Sequence, residues 1–207
     1  MAASGVRVIL VCGYRRHGKD TLYQVLSGAS IFEFDRYYLE ESSAQLFDSA
    51  FCQGSSFTRI AFADILKHDV AKELAVSVDF LEENKDHPLR EVHKNVYTFD
   101  YIRPEVEGSP TYRDVLINHS ARCKSKDVAY FPRRAFEHTT ALDTVYVVTD
   151  WRYTIEYEYA CEHFGTENVF TIRVFKPNTI IPYYSIPSEH ELDTHDTHAV
   201  FQPKDST

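Results

Sequence analysis

The chain is short of the features that define whole classes of protein. No apolar run approaches the roughly 20 residues that a membrane-spanning helix needs. Lys and Arg number 22 against 31 Asp and Glu, a formal charge of −9, so no broad basic field is there to attract nucleic acid or a membrane surface. The four cysteines, Cys12, Cys52, Cys123 and Cys161, lie far apart, with no CxxC pair and no metal-ligand spacing. They read as reduced packing thiols of an intracellular, cytoplasmic protein. No secretory leader is expected, because Arg7 interrupts the early apolar run and no small-residue cleavage site follows it. Repeats and low-complexity segments are lacking too.

What is present is enough apolar and aromatic material for a core: 43% and 14% of 207 residues, the size of one globular domain. Its organising stretch is Val6 to Leu26. Val8 to Cys12 are apolar without a break and read as a strand buried on both faces. Gly13-Tyr14-Arg15-Arg16-His17-Gly18-Lys19 then fits GxxxxGK, and Leu22, Val25 and Leu26 follow at helical spacing. Chance alone writes that pattern into about one chain of this length in twenty, so the strand–loop–helix context carries the weight. In such a loop, glycines let backbone approach an anion, and the N–H groups of loop and first helical turn converge on it beside Lys19. Arg15, Arg16 and His17 add local positive charge. The usual Ser or Thr after the lysine, whose hydroxyl binds Mg²⁺, is replaced by Asp20, with Thr21 behind it. Either Asp20 takes that role or Thr21 does, and a carboxylate is a good hard-oxygen ligand, which favours Asp20.

Further strands are expected at Ser30 to Phe34, Phe57 to Ala63, Thr144 to Asp150 and Val169 to Phe175, with an edge strand at His198 to Gln202. Helices are expected over 39–50 on the surface, Asp64 to Ala75 with Asp64 as N-cap, Thr111 to Cys123 capped by Thr111, Val128 to His138, and Tyr153 to Phe164, stopped by Gly165. Strands alternating with helices predict an α/β fold with a mainly parallel sheet. Ligands then bind at the carboxyl ends of the strands, where Gly13, Asp35, Ala63 and Asp150 are expected.

Asp150, ending an apolar strand, suits a carboxylate beside Mg²⁺ and the β and γ phosphates, or else an ordinary cap of the next helix. Arg152 pairs with it or reaches a substrate phosphate. Asp35 and Arg36 could orient and clamp an acceptor, and Asp64 and Lys67 stand at the start of the helix after strand three. Lys85, Arg90, Arg113, Arg122, Arg133 and Arg134 lie in the middle segment. Two or three of these are expected to bind phosphate, since phosphoryl transfer spreads charge over equatorial oxygens. Arg133 and Arg134 make a plausible lid. His190, His195 and His198, with Glu189, Glu191, Asp193 and Asp196, fit no zinc spacing and read as a solvated acidic tail.

The loop GYRRHGKDT (Gly13 to Thr21) resembles the GxxxSGKDT loop of viral and bacteriophage deoxynucleoside monophosphate kinases, in which a Lys-Asp pair is the rule. Phe62 to Lys67 (FADILK) is similar to that family's FADPLK. Thr111 to Leu116 is similar to its mid-chain helix, Val148 to Tyr153 with Glu156 to its TDxRxxxE segment, and Ser188 to His190 to its SEH. His17 replaces the family's Ser, and Ile65 its Pro. Animal-type phosphomevalonate kinases share the GKD loop, a TDxR and an SExxLD stretch that Ser188 to Asp193 also fits.

The resemblance implies a three-layer P-loop NTPase fold of the nucleoside monophosphate kinase kind. One domain would fill residues 1–207, with a mobile lid and substrate region around 76–138 and a loop-like tail from 176. It implies Mg²⁺-dependent transfer of the ATP γ-phosphate to a (deoxy)nucleoside monophosphate, in the cytoplasm (the host's, for a virus). Gly13, Arg16, His17, Gly18, Lys19, Asp20 and Thr21 would hold ATP, with Asp20 on the metal. Lys19, Asp150, Arg133 and Arg134 would be catalytic. Asp35, Arg36, Asp64, Lys67, Arg113 and Arg152 would bind substrate. The aromatic content is compatible with a homodimer. Two other readings stand beside this one: a phosphomevalonate-type kinase, which needs no pocket for a base, and a nucleotide-binding module without turnover. A GTPase-like switch lacks its guanine reader, since Asn84-Lys85-Asp86 does not have NKxD spacing.

Overall fold

The computed structural model describes residues 5–52, 55–100, 109–177, 179 and 190–204, with Ala50 and Cys52 as backbone alone. Two compact units result: Phe62–Arg134, and the described residues that precede and follow it.

The flanking residues form a six-stranded sheet. Its strands are β1 (Arg7–Cys12), β2 (Phe34–Tyr38), β3 (Ser56–Ile60), β4 (Thr144–Val148), β5 (Val169–Val174) and β6 (Ala199–Pro203), in the order β2-β6-β5-β1-β4-β3. All pairings are parallel except β2 with β6. Sequence polarity explains the order. VILVC of β1 and TVYVV of β4 are buried throughout and occupy the interior, whereas FDRYY of β2 and SFTRI of β3 stay half exposed and close the two edges.

Side chains alternate across the sheet. Ile9 and Val11 meet Leu22 of α1 (Lys19–Leu26) and Phe47 and Phe51 in one core with Val145, Val147, Phe170 and Ile172. On the sheet's other side, α8 (Thr154–Phe164) packs against β1 and β5 and buries Ala160 and Phe164. The protein is therefore α/β, with a mostly parallel sheet and helices on both faces. No helix among the described residues is long and apolar enough to cross a membrane.

Several expectations are corrected. The expected strand at 30–34 begins instead at Phe34 and runs antiparallel, so Asp35 and Arg36 lie inside an edge strand rather than in a loop at a parallel strand's end. The expected edge strand near 198–202 is interior, because β2 pairs outside it. The helix expected over 39–50 is present in two parts, α2 (Glu41–Leu46) and a π-helical turn (Phe47–Cys52) that continues it. It has an exposed outer face, and Phe47 and Phe51, four residues apart, are both fully buried.

The inserted unit holds α3 (Phe62–Leu74), α4 (Val78–Asn84), α5 (Glu91–Lys94), α6 (Tyr112–Lys126) and α7 (Tyr130–Phe136) as far as Arg134. Its core is Val70, Ala71, Leu74, Leu81, Leu89, Tyr97, Tyr112 and Val115. Since α3 starts at Phe62, Asp64 stands in its first turn and is not its cap. Thr111 does cap α6, in a reciprocal box with Asp114. Pro104 lies outside the described residues.

Candidate functional site

The glycine loop leaves the carboxyl end of β1, between two parallel neighbours. Gly13 has φ 136°, and a Cβ there would collide with the Val174 carbonyl of β5, so only glycine fits. Arg16 (φ 67°) and Gly18 (φ 99°) also lie in the left-handed region. Gly18 is the N-cap of α1, and no side chain caps that terminus.

The Lys19 ammonium folds back over the loop, donating to the carbonyls of Gly13 (2.6 Å) and Tyr14 (3.0 Å). The His17 N–H donates to the same Tyr14 carbonyl at 3.2 Å. His17, expected to add positive charge at the loop, is buried. Its Nδ1 accepts from the Lys176 N–H at 3.2 Å, and its ring stands edge-on to Tyr14 and Phe175. Asp20 points outward with a side chain 72% exposed and accepts from Arg59 of β3 at 3.2 Å, while Thr21 is half-buried.

Register brings Asp150 to the loop. The last β1–β4 pair is Leu10 with Val148, and Asp150 follows two residues later, in a turn past the carboxyl end of β4. The turn that follows is fixed by Glu156, a buried carboxylate whose Oε2 accepts from the N–H groups of Arg152 (2.9 Å) and Tyr153 (3.1 Å). The Trp151 indole, also buried, donates to the Tyr153 carbonyl at 2.9 Å. A cavity of about 20 Å³, room for one water, is lined by Gly13, Tyr14, Trp151, Arg152, Arg173 and Asp193 among others. Cys12 also lines it, but burial pushes its thiol up to about 11, so it stays protonated and inert.

Sequence reasoning missed Tyr14, Arg173 and Asp193. One signal was available: an arginine inside an otherwise apolar strand (VFTIRVF) needs internal acceptors. Arg173 Nη2 finds them in the carbonyls of Leu192 (2.5 Å) and His195 (3.0 Å). That anchorage overturns the solvated tail. Leu192 is buried, His195 stands edge-on to Trp151, and His198 Nδ1 accepts from the Thr171 N–H at 3.0 Å. Among the described residues no three His, Cys, Asp or Glu side chains cluster as a metal site.

The structure thus gathers the glycine loop, Asp150 and Arg152 in one unit. Asp35 instead faces Lys204 (3.5 Å), and the Arg36 guanidinium lies 5.5 Å from the Phe201 ring centroid. The remaining expected residues belong to the inserted unit, and each cation among them meets a carboxylate there. Lys67 bonds Glu82 and, at 3.4 Å, Asp64; burial opposes its charge, yet these partners hold the ammonium above its ordinary value. Arg113 grips both oxygens of Asp86 (2.6 and 3.0 Å), and Arg133 bonds Asp127 (2.5 Å). Arg134 meets both oxygens of Asp69 (2.8 and 2.9 Å) and the Tyr130 hydroxyl (2.8 Å). A phosphate arriving at any of these must exchange with a carboxylate. No protein-family model matches the chain, and no curated protein matches it.

Proposed function

We propose that this protein is a P-loop phosphotransferase that moves the γ-phosphate of ATP to a (deoxy)nucleoside monophosphate, with Mg²⁺. The carrying observation is the glycine loop: α1 begins uncapped behind it, with Gly18 as N-cap and the Lys19 ammonium held on the Gly13 and Tyr14 carbonyls. A helix N-terminus without a side-chain cap and a lysine beside it suit a polyphosphate. The sheet supports the reading as well, because β4, the parallel neighbour of β1, is followed within two residues by Asp150, at the same carboxyl edge that the glycine loop leaves. Asp20 and Asp150 are hard oxygen donors of the right kind for Mg²⁺, with Thr21 as the alternative to Asp20. Bound there, Mg²⁺ would neutralise charge on the terminal phosphates.

The chain's own work is positioning. Lys19 leaves the loop carbonyls for the donor phosphates, and the loop N–H groups hold their oxygens. Arg152 reaches the acceptor phosphate. Little covalent chemistry is asked of the protein, since alignment and charge neutralisation supply most of the rate. We assign the enzyme to the cytoplasm, where its thiols stay reduced.

The test is ADP release from ATP and Mg²⁺ with a panel of nucleoside monophosphates and, separately, phosphomevalonate. At least one nucleoside monophosphate is expected to be turned over. Turnover of phosphomevalonate alone would make it the other kinase, and tight ATP binding without turnover would make it a binding module. Lys19→Ala is expected to lower kcat/KM by at least about 100-fold with the fold intact. Full activity in that folded variant would remove the lysine from the mechanism.

A further inference from the structure

The residues around Asp193 have no place in the phosphate chemistry just described, yet they touch the loop that performs it. His190 to His195 form two consecutive turns, closed by Asp193 N–H to the His190 carbonyl and His195 N–H to the Leu192 carbonyl, both at 3.0 Å. Three anchors hold these turns without help from Asp193. Arg173 donates to the Leu192 and His195 carbonyls, the Glu191 carboxylate accepts from the Thr154 N–H at 3.0 Å, and the Leu192 side chain is buried. The Asp193 carboxylate is thus left for another task. Its Oδ1 accepts from the Tyr14 hydroxyl at 2.7 Å, and its Oδ2 meets His190 Nδ1 at 2.7 Å. The His190 ring lies edge-on to Tyr14 at 5.6 Å, so Tyr14 is gripped at its hydroxyl and at its face.

Tyr14 is a two-ended residue. Its side chain is tied to the turn, while its carbonyl takes both the Lys19 ammonium and the His17 N–H. We propose that the turn around Asp193 is a positioning element for the glycine loop, in which Asp193 fixes Tyr14 and through it the carbonyl that presets Lys19. Asp193 itself touches no substrate. It sets ATP affinity by keeping the loop shaped for phosphate before ATP arrives, so the ordering cost is not charged to binding. The inference rests on the reading that this loop holds ATP, but its first readout does not.

Tyr14→Phe deletes one hydroxyl and keeps the ring, and Asp193→Ala removes the acceptor while the three other anchors of the turn remain. Amide hydrogen exchange of residues 13–19 in the free protein is expected to quicken at least fivefold in both variants, with thermal midpoints close to the parent's. Equilibrium dialysis with ATP and magnesium is expected to show a Kd three- to tenfold higher in each, and no higher in the double variant, because one bond is shared. In turnover the change is expected in KM for ATP, with kcat nearly constant. Should exchange and Kd both match the parent in folded Tyr14→Phe, the positioning role is wrong. Should the parent itself fail to bind ATP while exchange still quickens, the loop is positioned by Asp193 and the phosphate reading is what falls.

Discussion

Gly13 shows how much one residue can decide. Its φ of 136° and the Val174 carbonyl beside it leave no room for a Cβ. Gly13→Ala is therefore expected to cost about 2–4 kcal/mol, from left-handed strain and from displacing β5 backbone. Chemical denaturation reads that directly, and a change within 0.5 kcal/mol would mean the loop can rearrange freely. Asp20 is the opposite case. Its ion pair with Arg59 is between exposed groups, worth about 0–1 kcal/mol, so its carboxylate can be lent to a metal at small cost. Asp20→Asn is expected to weaken the Mg²⁺ dependence of turnover more than nucleotide affinity, with stability almost unchanged. Superimposable Mg²⁺ titrations of variant and parent would transfer the metal to Thr21 or elsewhere.

At the scale of elements, caps and registers do the placing. In α6, Asp114 Oδ2 accepts from the Thr111 N–H at 2.7 Å and from its hydroxyl at 2.7 Å, while the Thr111 hydroxyl accepts from the Asp114 N–H at 3.3 Å. Asp114→Ala is expected to destabilise the inserted unit by about 1 kcal/mol, and exchange of the first α6 amides should report it before any global change. A uniform loss across both units would show instead that they melt together. Glu156 does comparable work at α8. The sequence presents it as a distant member of a TDxRxxxE pattern, and the fold gives the reason for its spacing: four residues carry its carboxylate back to the Arg152 N–H.

For the whole molecule, four histidines shape the response to acid. His119, which is buried, and His163, His195 and His198, which are half-buried, all lie below the ordinary value of 6.5, loss of solvation being the largest cause in each. Arg122 adds to the effect at His119, and Arg173 at His195. The folded protein thus holds them neutral where the unfolded chain would protonate them, and the unfolded state binds more protons below about pH 6.5. Stability is expected to be complete above that value and to fall as pH drops through it toward the folded values. Thermal midpoints between pH 8 and 5 measure this, and a flat profile would count against neutral burial.

The central strands β1 and β4, the glycine loop, the Thr111 cap and the α/β alternation could all be read from the chain. Each is local: unbroken apolar runs, glycine spacing and cap chemistry act within a few residues. Tertiary structure alone decided that β6 lies inside the sheet and β2 at its rim, because strand order follows from pairing between distant segments. It also decided that Phe47 and Phe51 turn inward, that His17 is buried, and that Asp193 meets Tyr14 across 179 residues of sequence. Contacts of that separation leave no periodic trace in sequence, since they are set by which surfaces bury best together once the local elements exist.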